Sequence, residues 1–203
     1  MVDYFIRLVS AKDSRQDLCC RDLSRGPQKA RQALLMASLW YSLVSQKLFL
    51  ARTLLETPAE PADTGNPDCT PVQKLQHEAA TQGSIELLLR ARRLLLVMIA
   101  RLYQKRSEEP SSLAELASLI GAQATETSQL LALEQEAGSW WNYLDQLETA
   151  QSRPPAARKT VNAENIIAVS AEVGPDRSAQ ALMKTLNAMK KFADNLEEQH
   201  GEW

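Results

Sequence analysis

The sequence predicts an all-α fold, a bundle of four or five helices around one long central helix, and three observations carry that prediction. The first is the stretch 85–103, IELLLRARRLLLVMIARLY, in which Glu86, Arg90, Arg93 and Arg101 fall near one line on a 3.6-residue period while apolar side chains cover most of the remaining circumference. A helix that is apolar on so many sides needs neighbours around it. A membrane span would also bury it, but the charges between Glu86 and Arg101 make that route costly. The second observation is amphipathic helical periodicity in the segments on either side. The third is the set of caps, prolines and glycines that divides the chain into helix-length pieces.

Residues 1–35 mix seven cations with four aspartates, Asp3, Asp13, Asp17 and Asp22, and show little periodicity after Val9. This composition predicts a poorly ordered extension ahead of a domain that starts at Met36. From Ser38 the pattern becomes helical. Leu39, Trp40, Leu43, Val44, Leu48, Ala51, Leu54 and Leu55 lie along one broad face, and the helix should end before Pro58. Residues 57–70 are rich in Pro, Asp, Gly and Asn, the composition of a surface connection.

Thr70, Pro71 and Gln73 supply an N-cap, a first-turn proline and a capping-box partner, so the central helix should begin there and run to about residue 105. Gly83 lies inside it. A glycine there costs about 1 kcal/mol relative to alanine, which suggests a bend or a close helix contact. Ser112 with Glu115 opens a short helix to Ile120, stopped by Gly121. A longer helix over 125–151 carries Leu130, Leu133, Ala137, Trp140, Leu144 and Leu147 at spacings of three and four. Pro154 and Pro155 begin a linker, and Ile166, Ile167 and Val169 read as a short extended strap over the core. A last helix from residue 176 or 178 to about 199 places Leu182, Leu186, Met189, Ala193 and Leu196 on one stripe.

The composition is that of an ordinary globular chain: 203 residues, 44% hydrophobic, 24% charged, with a net charge of -2. That charge marks neither a nucleic-acid binder nor an acidic tail. Cys19, Cys20 and Cys69 are an odd number and the first two are adjacent, which fits a reducing cytoplasm; the first thirty residues contain no apolar core of a signal peptide.

Two patterns invite a nucleic-acid reading. Residues 112–131, SLAELASLIGAQATETSQLL, have the outline of a helix-turn-helix, with Ala117 at the crossing, Gly121 in the turn and Leu130 inside the second helix. However, Thr127 stands where an apolar residue is expected. No Lys or Arg occurs between Ser107 and Ser152, whereas Glu108, Glu109, Glu115, Glu126, Glu134, Glu136, Asp145 and Glu148 do. Phosphates would be repelled by such a surface. The basic cluster Arg90, Arg92, Arg93, Arg101, Lys105 and Arg106 is the other candidate, and the balance of charge predicts that its arginines pair with those acids inside the bundle.

No constellation for chemistry survives. His77 and His200 are the only histidines, Glu197 with His200 lacks the second Glu-x-x-His pair of a di-metal site, and there is no nucleophile elbow or phosphate-binding glycine loop. The sequence thus predicts no catalytic residue, no cofactor and no metal, and His200 reads as solvated. Trp140 and Trp141 point about 100° apart on one helix, so one should be buried and the other half exposed as a partner anchor. Trp140, Trp141, Arg90 and Arg93 are therefore the candidate partner-binding residues, with the stripe from Leu182 to Leu196 as a further apolar surface for a protein partner or a homodimer.

From Met36 onward the chain resembles a proteobacterial family of small helical proteins known only as a domain of unknown function. The resemblance rests on Trp40, Tyr41, Gln46, Lys47, Leu48, Ala51 and Leu54, on Ser139 with Trp140, on Pro154 and Pro155, on Ile166 and Ile167, and on Glu202 and Trp203. It implies a helical fold and no activity. A protein-binding or scaffold role is the expectation, with a DNA-binding regulator acting through 112–131 or 90–106 as the alternative.

Overall fold

The computed structural model describes residues 25–56, 70–154 and 174–201, with side chains for 39–56, 70–154 and 174–200. The expected strap at 166–169, the linker after Pro154, the three cysteines and Glu202 with Trp203 lie outside the described residues. Within them the chain forms six helices and no strand. They are α1 (Arg25–Glu56), α2 (Pro71–Leu102), α3 (Leu113–Ile120), α4 (Thr125–Gln135), α5 (Trp140–Gln151) and α6 (Ala179–Gly201).

Helix α2 is the centre, packing against α1, α3, α5 and α6. The run Leu94–Arg101 is buried without interruption, and Ile85, Leu88, Leu95, Met98 and Ile99 are fully enclosed. Its start is fixed locally. The Thr70 hydroxyl accepts the Gln73 backbone N–H at 3.3 Å, and the Gln73 side chain accepts the Thr70 backbone N–H at 2.8 Å. Gly83 serves a close helix contact, because a Cβ there would meet Leu54 Cδ1 of α1 at 3.2 Å.

Contacts across the bundle set the directions. Trp40 meets Arg101 and Ala51 meets Ser84, so α1 runs antiparallel to α2. Tyr41 donates to Asp194 at 2.8 Å and Arg52 to Asn187 at 2.6 Å, so α6 is antiparallel to α1 and parallel to α2. The predicted stripe Leu182, Leu186, Met189, Ala193 and Leu196 fills the core from α6. It is therefore unavailable as a partner surface, a correction to its second expected use. The α3–α4 hairpin closes the end of the bundle beside the last turn of α6, where Glu126 meets His200.

Three boundaries differ from expectation. Helix α1 begins at Arg25, ahead of Ser38, and passes residue 36 without a break. The single helix expected over 125–151 is two helices. Gly138, at φ +83°, turns the chain, and Ser139 recaps it by accepting the Asn142 backbone N–H at 3.1 Å and donating to the Leu133 carbonyl. The apolar spacing continues through this break and hides it. Finally, α2 ends at Leu102, because Gln104 adopts φ +61° and folds the chain back.

Candidate partner-binding surfaces

The arginines of α2 have distinct surroundings. Arg92 lies within the apolar run, 7% exposed, where its guanidinium donates to Asp145 at 2.5 Å and to Glu148, and sits 5.1 Å from the centre of the Trp141 ring. Arg93 donates to the other oxygen of Glu148 at 2.8 Å. Glu148 thus bridges two arginines one residue apart, and although burial pushes its carboxyl up, these contacts hold it below the ordinary range. The predicted pairing of basic helix with acidic segment is present here.

Arg101 departs from the outward line on which the sequence placed it. It is 7% exposed, because the turn after α2 brings the carbonyls of Lys105 and Glu108 onto its guanidinium, the latter at 3.0 Å, with Glu109 at 3.7 Å and the Trp40 ring 5.4 Å away. Burial by a following turn leaves no trace in helical periodicity. Arg90 departs from the expected pairing of the cluster: it points outward, and no carboxylate partner meets it among the described residues.

The tryptophan pair divides as predicted. Trp141 is 3% exposed and edge-on to Trp140, while Trp140 is half-buried against Phe192 of α6. Trp140, Tyr143, Lys184 and Thr185 border a shallow cavity of about 240 Å³ between α5 and α6. Trp140 is open to solvent there, whereas Trp141 is enclosed and serves to hold Arg92.

Two features escaped sequence reasoning. His200, read as solvated, contacts buried Glu126 at 2.9 Å, and the Tyr103 hydroxyl donates to the same carboxylate at 2.5 Å. Burial pushes Glu126 up, but these two hydrogen bonds win and hold its carboxyl below its ordinary value; burial and Glu126 push the Tyr103 hydroxyl up to about 12. Residues 74 positions apart give no local signal of such a contact. Among the described residues, no His, Cys, Asp or Glu side chains gather in a group of three that could hold a metal.

The second feature is the outer face of α1. Leu39 is 61% exposed, Leu43 40%, Phe49 68% and Leu50 41%, although the sequence placed Leu39 and Leu43 on the buried face. From the predicted face the core takes Val44, Leu48 and Ala51, with Trp40 and Leu55 beside them and Tyr41 added. This helix is apolar on two opposite sides, and periodicity alone cannot say which side the bundle covers.

A family model, "Family of unknown function (DUF6586)", matches residues 36–203. The chain belongs to this family. No curated protein and no solved structure matches it. Among the described residues no helix of this DUF6586 member is long and apolar enough to cross a membrane.

Proposed function

We propose that this DUF6586 protein is a non-enzymatic scaffold of the bacterial cytoplasm that binds other protein chains, and that its domain spans residues 36–203. The observation carrying this reading is the exposed, uncharged apolar face of α1. Monomeric soluble proteins rarely leave such contiguous patches open, and where they do the patch marks an interaction site. The internal pairing of Arg92, Arg93 and Arg101 adds support, since it engages three of the six cations of the cluster on which a nucleic-acid role would depend. The open part of Trp140 beside α6 and, separately on α2, Arg90 with the outward half of Arg93 offer smaller contacts.

The test is site-specific photo-crosslinking in cells producing the protein, with the reactive amino acid at position 43. Position 134, exposed on α4, is the control. Discrete adducts at 43 and none at 134 are expected. An absence of adducts at 43 overturns the reading.

A further inference from the structure

On the outer face of α1, Leu39, Leu43, Gln46 and Leu50 follow one another at spacings of four, three and four, the alternation of a heptad seam. At ~1.5 Å per residue the seam is about 17 Å long. The arc around it, completed by Ser42, Phe49 and Thr53, contains no charged residue, and Lys47, Arg52 and Glu56 lie off it. A solvated helix face normally carries charge; this one is neutral over three turns and opposite the core.

We infer that this face is the two-fold interface of an antiparallel homodimer, α1 against α1. The inference rests on the protein-binding reading above and commits it to one occupant, a second copy of this chain. What singles out that occupant is self-complementarity, the requirement of a two-fold interface. With the axis between residues 44 and 45, Leu39 of one copy opposes Leu50 of the other and Leu43 opposes Gln46, giving four layers in which the two types of heptad position face each other. The same placement sets the large Phe49 ring, at the flank of the seam, over the small Ser42 of the second copy. No like charges are brought together. The two Gln46 amides fall in neighbouring layers, where they can bond to each other, and one polar residue in an apolar seam fixes register at some cost in affinity. A parallel pairing would put Gln46 against Gln46 in one layer and leave no small residue under Phe49.

The seam is short for an interface, compared with the ~800 Å² per partner of a standard complex, so the dimer should be of roughly micromolar strength. Analytical ultracentrifugation of the full chain across that concentration range should show a mass rising from 22.6 kDa towards twice that value. Leu43→Glu should weaken the association at least tenfold with an unchanged helical spectrum, since position 43 lies outside the core, whereas Val72→Glu, at an exposed apolar site on α2, should leave it unchanged. Register is read by disulfide trapping with Cys19, Cys20 and Cys69 changed to Ser. Leu39→Cys and Leu50→Cys chains should crosslink when mixed, and neither should do so alone.

A chain that stays monomeric throughout, a dimer indifferent to Leu43→Glu, or self-crosslinking of Leu39→Cys overturns the inference. A monomer whose position 43 crosslinks to a different protein overturns the homodimer and leaves the protein-binding reading standing. A monomer that crosslinks to nothing removes both.

Discussion

Single side chains in this bundle show where folding tolerates polarity and where it does not. Thr127 is fully buried in α4, and its hydroxyl finds no hydrogen-bond partner among the described residues. An unsatisfied buried hydroxyl costs about 1–3 kcal/mol, so Thr127→Val, which keeps the shape and removes the oxygen, should stabilise the protein by roughly 1 kcal/mol in urea unfolding. A loss of stability would show that the hydroxyl is bonded. Glu126, on the same turn, is the opposite case: its buried carboxylate is satisfied by Tyr103 and His200. Burial disfavours the charged form, yet the net effect holds the folded-state value below the ordinary one, and Glu148, burdened by burial and rescued by Arg93 and Arg92, behaves alike. The folded protein therefore binds these protons less readily than the unfolded chain, whose carboxyls titrate near ~4.3. The stability they supply is complete above that value and is lost as pH falls through the lower folded values. Unfolding midpoints from pH 6 down to pH 3 should trace this loss, and Glu126→Gln should flatten part of it. An acid limb unchanged by that substitution would remove Glu126 from the account.

At the scale of helices, backbone geometry at two glycines gives contrasting expectations. Gly138 adopts φ +83° with nothing near its missing Cβ, so alanine there meets pure backbone strain of about 1–2 kcal/mol. Gly83 lies mid-helix, where alanine gains about 1 kcal/mol of helix propensity but presses on a Leu54 methyl at 3.2 Å, a flexible group that can yield. Gly138→Ala should therefore lower the thermal midpoint by several degrees and Gly83→Ala should change it little; equal effects in differential scanning calorimetry would contradict both arguments. These positions also show what the sequence made legible. The start of α2 could be read from Thr70, Pro71 and Gln73, and the stop of α3 from Gly121, because caps are local chemistry. The break at Gly138 was hidden because Leu133, Ala137, Trp140 and Leu144 keep helical spacing across it. Among candidate-site residues, the pairing of Arg92 and Arg93 with Asp145 and Glu148 followed from segregated charge, whereas the burial of Arg101 depends on the turn at Gln104 and the Glu126 contact with His200 on the closure of the whole bundle. On α1 the sequence reading merged Leu39 and Leu43 with Val44, Leu48 and Ala51 into one broad face, and how much of that face the core takes is decided by the helices that arrive later in the chain.

On the scale of the whole molecule, the distribution of charge decides what kind of macromolecule the surface can hold. The chain is close to neutral, at -2, and in its densest cationic stretch the fold uses the guanidinium groups of Arg92 and Arg101, and part of Arg93, internally. Duplex DNA is held chiefly by cations that displace its condensed counterions, each contributing about 0.9 to the slope of log affinity against log salt. Within that stretch Arg90, the outer half of Arg93, Lys105 and Arg106 would supply a slope of at most about 4, below that of a duplex binder with about six or more phosphate contacts, and the helix-turn-helix outline from α3 into α4 adds acids and no cation. Titration of labelled duplex at several salt concentrations should therefore show negligible affinity at physiological ionic strength. The opposite outcome has a defined form: micromolar binding that falls steeply with salt and disappears in a folded Arg90→Glu, Arg93→Glu double variant. That result would mean that the α2 arginines exchange their carboxylate partners for phosphates, since Glu148 can release Arg93 at the bundle surface, where the Arg93 side chain is 52% exposed, far more readily than Arg92 can leave Asp145 and the Trp141 ring beneath it.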